Sequence, residues 1–154
     1  MLLRTDGLTT TLLEEIIGGP LAVEKQELPT VPAHEAESGL FKTLGLAEDE
    51  LVGRRQSRLI SAGHEVVSIN RVHFPAYAAA DVIPPPGVPI GQHLVDKNEA
   101  LRREILFAGC DWWPLAKDIP CAHKEYVIQG RSGWRVHVSE YFNPKFVSVD
   151  PQPI

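Results

Sequence analysis

The sequence predicts an α+β fold in one domain spanning residues 1–154, an antiparallel β-sheet with helices packed on one side. Two turn signals each flanked by extended segments, Ala62-Gly63-His64 and Gly130-Arg131-Ser132-Gly133, predict two β-hairpins. Helical periodicity falls before and between the hairpins, so the strands connect locally and no βαβ alternation arises. A chain of 154 residues buries about two thirds of its unfolded surface in one core.

Over Thr9 to Ile17 the residues Leu12, Leu13, Ile16 and Ile17 form the stripe of an amphipathic helix, capped by Asp6 or a threonine of the Thr9 to Thr11 run. Gly18-Gly19-Pro20 ends it. Leu21 to Leu28 reads as a strand closed by Pro29 and Pro32, and Ala36 to Leu46 as a short helix with Gly45 near its end. Leu51 to Ser61 and Glu65 to Phe74 are the arms of the first hairpin. Pro75 to Pro89 holds five prolines, too short a stretch for a domain linker, and reads as a rigid loop or lid. Ile90 to Phe107 has helical periodicity through Leu94, Leu101, Ile105 and Leu106. After a loop carrying Trp112-Trp113-Pro114, Lys124 to Gln129 and Trp134 to Phe142 form the second hairpin.

Composition narrows the function. A net charge of -5 without a Lys/Arg run disfavours a general nucleic-acid binder, because counterion release requires a basic face. The segment Met1 to Asp6 is interrupted by Arg4 and Asp6, unlike a secretory signal, and no apolar run reaches a membrane span, so a cytoplasmic location with no membrane partner is expected. Cys110 and Cys121 lack metal or redox spacing and read as reduced thiols. The histidines form no H-x-H or HExxH arrangement, which disfavours a metal site. Nucleophile-elbow, Walker and dinucleotide motifs are missing.

The last strand carries the main chemical signal. Its period of two places Trp134, Val136, Val138, Glu140 and Phe142 on one face, with Arg135, His137, Ser139 and Tyr141 on the other. Glu140 is the one acid on the apolar face, where a carboxylate is costly unless paired. It is either a core ion pair or strand-end residue, or a group kept for chemistry. Parity across the first hairpin sets Arg71, beside Val67 and Ile69, on the face of Arg54, Arg58 and Ile60. Such guanidiniums suit a carboxylate ligand, whereas Arg54 and Arg55 read as an exposed strand start. Pro89-Ile90-Gly91 precedes a helix and offers backbone N–H groups to an anion.

These segments resemble, in order, the chorismate pyruvate-lyase family. Asp6-Gly7-Leu8-Thr9-Thr10 is similar to the start of the family's first helix, and Ser57-Arg58-Leu59-Ile60 to its strand with a carboxylate-binding Arg. Val88-Pro89-Ile90-Gly91 is similar to a turn whose backbone N–H meets the ligand, and Val138-Ser139-Glu140-Tyr141-Phe142 to the strand with the catalytic Glu. The resemblance implies a chorismate lyase-like fold, shared with the ligand-sensing domains of certain bacterial regulators. It also implies elimination of pyruvate from chorismate to give 4-hydroxybenzoate, without a cofactor. Glu140 and Arg58 would be catalytic, with Arg71, Leu8, Ile90 and Gly91 binding a small anionic substrate; no obligate protein partner is expected. Val136, Val138 and Leu8 would exclude water. The short first hairpin and the loop with Pro84-Pro85-Pro86 depart from the family, so a dehydratase or cyclase on the same scaffold, or a non-catalytic sensing domain, stand as alternatives.

Overall fold

The computed structural model describes residues 9–149 apart from 38, 89, 98 and 99. Helix α1 (Thr9–Ile17) leads into β1 (Leu21–Pro32), and α2 (Leu40–Leu44) precedes the hairpin of β2 (Leu51–Ser61) and β3 (Val66–Pro75). Two short helices follow, α3 (Ala79–Val82) and α4 (Ile90–Asp96), and then β4 (Ala100–Trp113), β5 (Ala116–Gly130) and β6 (Arg135–Phe142). The six strands form one sheet in the order β1-β2-β3-β6-β5-β4, every pair antiparallel. Two meanders therefore meet along β3 and β6.

Local signals carry through to packing. The α1 stripe buries Leu13 completely, in a cluster with Leu59, Val67 and Phe142. Removing such a side chain from water contributes about 1.5–3 kcal/mol. Val82 of α3 and Leu94 of α4 join Val72, Tyr126, Trp134, Val136 and Val138 in a second cluster. These helices cover the face of the sheet that carries Glu140. Helix α2 lies against the other face, where Leu40 and Leu44 pack with Val52. At the second hairpin the Trp134 ring crosses Gly130 so closely that a Cβ there would stand 2.4 Å from it. Only glycine fits that crossing.

Two expectations are corrected. The helix over Ile90 to Phe107 stops at Asp96, and the remainder is the long strand β4. A register shift between Ile105 and Phe107 sets Leu106 outside the β4–β5 ladder. That bulge breaks the alternation of two and leaves apolar residues at spacings that imitate a helix. Trp112 and Trp113, expected in a loop, are the last residues of β4, so the β4–β5 hairpin is longer than its sequence suggests. Neither cysteine forms a disulfide, and burial pushes the Cys121 thiol up to about 11, which keeps it unreactive.

On the face opposite Glu140, His73 and His137 are both buried. Burial lowers His73 from 6.5 to about 4, with Glu37 opposing the shift and His137 adding to it. His73 is therefore neutral in the fold, and its contribution is complete above the unfolded value. As pH falls from 6.5 towards 4, the unfolded chain gains a proton that the folded chain refuses. Stability should drop over that window, with His73 accounting for about 3 kcal/mol at most. Urea unfolding of wild type and His73→Phe at pH 7 and pH 4.5 checks this; the variant should show the shallower loss, and equal slopes would refute it.

Candidate functional site

The β3–β6 ladder places Asn70 opposite Glu140, and the β2–β3 ladder places Ser57 opposite Asn70. Directly opposed residues share a face, so Ser57, Asn70 and Glu140 form a polar row across the centre of the sheet. Above it lies a cavity of about 280 Å³. Its floor includes Leu59, Tyr126 and Val138, and one wall is the first turn of α1 with Thr9, Thr10 and Thr11. Gly87, at the end of the proline-rich loop, and Ile90 of α4 close another side, and Arg103 reaches in from β4. Segments distant in sequence thus line a partly open cavity of a size for a small molecule.

Glu140 is 6% exposed. The Tyr126 hydroxyl donates to its Oε1 at 2.7 Å, while its Oε2 is buried with no hydrogen-bond partner among the described residues. Thr9 Oγ1, on the α1 wall, is likewise buried with no hydrogen-bond partner among the described residues. Lys124 stands directly across from Glu140 in the β5–β6 ladder and is itself buried. Its ammonium and the Arg103 guanidinium each lie 5.1 Å from the Tyr126 ring centre. Burial, reinforced by the neighbouring Glu140 carboxylate, pushes the Tyr126 phenol well above its ordinary value. Tyr126 therefore remains an O–H donor, flanked by cations that its π-cloud attracts. The site holds a carboxylate with one free acceptor oxygen beside a guanidinium.

The structure does not bring Arg58 to Glu140. Arg58 stands opposite Ile69 and Glu24, and Arg71 opposite Gln56 and Ser139, all on the other face of the sheet. Arg71 is engaged there, donating from Nε to Gln56 Oε1 at 3.3 Å with its guanidinium 5.4 Å from the Tyr141 ring. Hairpin parity correctly groups Arg54, Arg58 and Arg71, but the β3–β6 register puts that group behind Glu140. Arg55, expected at an exposed strand start, is instead 4% exposed on the Glu140 face. It lies 3.8 Å from Glu27 but does not line the cavity, and its Nε and Nη1 make no hydrogen bond. Ile90 lines the cavity and Gly91 follows it in α4, while Val136 belongs to the core below. Leu8 lies outside the described residues.

Tyr126, Asn70, Ser57 and Arg103 were not foreseen as site residues. Tyr126 had a usable signal, since it alternates with Ile128 on an apolar face as Glu140 does with Val138. Arg103 had none while its segment read as helix. Among the described residues no His, Cys, Asp or Glu cluster is arranged to hold a metal, and no helix is long and apolar enough to cross a membrane.

A scan against protein-family models gives no match, and neither does a comparison with curated proteins. Solved structures do match. PhnF from Mycobacterium smegmatis superposes with a TM-score of 0.69 at 10% identity, over 98% of this chain and 70% of that one. The C-terminal domain of the histidine utilization repressor from Pseudomonas syringae gives 0.67 at 10% identity, over 87% and 99%. The ligand-binding domain of a candidate GntR-family transcriptional regulator from Bordetella bronchiseptica gives 0.61 at 12% identity, over 86% and 92%. With its six-stranded antiparallel sheet and few helices, this chain has the chorismate lyase-like, UTRA-like fold found in the ligand-binding domains of GntR-family regulators.

Proposed function

We propose that this domain binds and senses a small molecule without transforming it, the ligand presenting a hydrogen-bond donor to Glu140 and an anionic group to Arg103. The observation that carries the reading is Glu140 Oε2, a buried acceptor that lines the cavity without a hydrogen-bond partner among the described residues. Leaving a charged group buried and incompletely paired costs several kcal/mol, and a ligand that completes the pairing recovers that cost selectively. Thr9 Oγ1 offers a second unfilled polar position. The fold supports the reading too, because structural neighbours are described as transcriptional regulators and one as a ligand-binding domain.

The lyase reading retains one specific support. Elimination from an anionic substrate requires a carboxylate and a cation in the same dry site, and Arg103 meets that requirement where Arg58 does not. Chorismate separates the two readings. A thermal-shift panel of small anionic metabolites that includes chorismate and 4-hydroxybenzoate should yield a ligand that raises Tm by several degrees and returns from the incubation unchanged. Release of 4-hydroxybenzoate and pyruvate would overturn sensing in favour of catalysis. A panel without any stabilising member would remove the support for a ligand site.

Substitution of the carboxylate gives a second expected outcome. Glu140→Leu should abolish that stabilisation; in the free protein the gain from removing an incompletely paired charge is offset by about 1–3 kcal/mol for the stranded Tyr126 hydroxyl. Tyr126→Phe should destabilise wild type by about 1–3 kcal/mol by stranding Glu140 Oε1, and considerably less in the Glu140→Leu background. Urea titrations of the four proteins measure this coupling. Additive losses would mean that Tyr126 and Glu140 do not depend on each other.

A further inference from the structure

The face of the sheet opposite Glu140 carries a second, partly open cavity of about 250 Å³. Glu37 lines it from the turn before α2, Leu40 and Thr43 from α2, Leu106 from the bulge of β4, and Glu125 and His137 from β5 and β6. The β5–β6 ladder sets Glu125 opposite Ser139, so Glu125 and His137 share the face that β6 turns away from Glu140.

Its chemistry is the reverse of the first cavity's. There a guanidinium reaches in, whereas here two carboxylates stand among the described lining residues and neither lysine nor arginine does. The arginines of this face direct their N–H groups elsewhere. Arg54 Nε donates to Pro29 O at 2.9 Å, and Arg71 Nε donates to Gln56 Oε1. Glu125 stands between two histidines, its Oε1 3.7 Å from His123 Nε2 and 3.8 Å from His137 Nε2. Burial lowers the proton affinity of His137, with Glu125 and Glu37 opposing the shift and His123 adding to it. The His137 ring is therefore neutral at pH 7 and gives Glu125 no full counter-charge. It is 6% exposed, and its Nδ1 has no hydrogen-bond partner among the described residues.

We propose that this cavity binds a small primary ammonium compound, its N–H groups shared among Glu37, Glu125 and the His137 ring and its apolar chain lying against Leu40 and Leu106. A primary ammonium has three donors and no acceptor, which suits two carboxylates and a neutral imidazole that keeps one ring nitrogen as an acceptor. Other cations fit less well. Among the described residues no cluster is arranged to hold a metal ion, and no Phe, Tyr or Trp ring lines the cavity to receive a quaternary ammonium. The site lies behind the Glu140 cavity and does not rest on what that cavity binds.

Isoamylammonium chloride is the probe. In an amide NMR titration of the full chain it should bind saturably with a Kd of about 1 mM, shifting the amides of α2, Leu106, Glu125 and His137. Isoamyl alcohol and tetramethylammonium chloride should leave those amides unmoved. Glu125→Gln and Glu37→Gln should each weaken binding by about tenfold. Glu37 is exposed, so its replacement leaves the core intact, and circular dichroism checks both variants. Glu24→Gln removes an exposed acid from the β1 edge of the same face and should bind as wild type does, which separates the site from the general attraction of a chain with net charge -5. A probe that does not bind, an alcohol that binds equally well, or an affinity unchanged in Glu125→Gln and Glu37→Gln would each overturn the proposal.

Discussion

Asn70 faces Glu140 across the β3–β6 ladder, and the consequences of that register reach every part of the site. It joins two meanders that are otherwise built from local hairpins. A displacement by one residue would set Arg71 against Glu140, bring Arg58 onto the cavity side and turn the apolar residues of β3 away from α3 and α4. Burial forbids that alternative. Val72 stands opposite Val138, and both must face the cluster closed by Val82 and Leu94. The apolar core therefore selects the register, and the register selects which polar side chains share a cavity.

Glu140 is held in that frame by unequal partners. Tyr126 satisfies one oxygen, and Lys124 and Arg103 supply positive charge around the same ring. The second oxygen has no hydrogen-bond partner among the described residues, and the proposed ligand would supply one. A protein optimised only for stability would place an apolar side chain at this position, as Val136, Val138 and Phe142 are placed along the same strand face. Retaining a carboxylate among them is the kind of local cost that marks a binding site. The cavity's size favours a small metabolite over a polymer or peptide.

The legible parts of the molecule are those set by short-range pattern. Helix α1, both hairpin turns and the inward face of β6 follow from residues within a few positions of one another. The same parity argument groups Arg54, Arg58 and Arg71 correctly, since it needs only the turn at Ala62-Gly63-His64. What parity cannot supply is the pairing of β3 with β6, which joins residues some seventy positions apart. Without it the choice between the Arg58 face and the Arg55 face is undetermined, and the β3–β6 register places Arg58 on the face opposite Glu140. Strand β4 was hidden for a different reason. Its bulge at Leu106 converts an alternating pattern into one with helical spacing, and with the strand went Arg103.

Strand β4 also ties the cavity to the edge of the sheet. Neighbouring residues of a strand point to opposite faces, so Arg103 reaches the cavity while Arg102 emerges on the other side. A ligand anion drawn to Arg103 acts on the strand that bears Leu106, Phe107 and Asp111. The remaining walls of the cavity come from α1, β1, the central strands, the segment around Gly87 and α4, whose Ile90 packs against the same cluster as Ile105 of β4. Cavity and sheet edge are thus joined both directly, through Arg103, and through α4, on a strand held on one side by β5 and interrupted midway by a bulge.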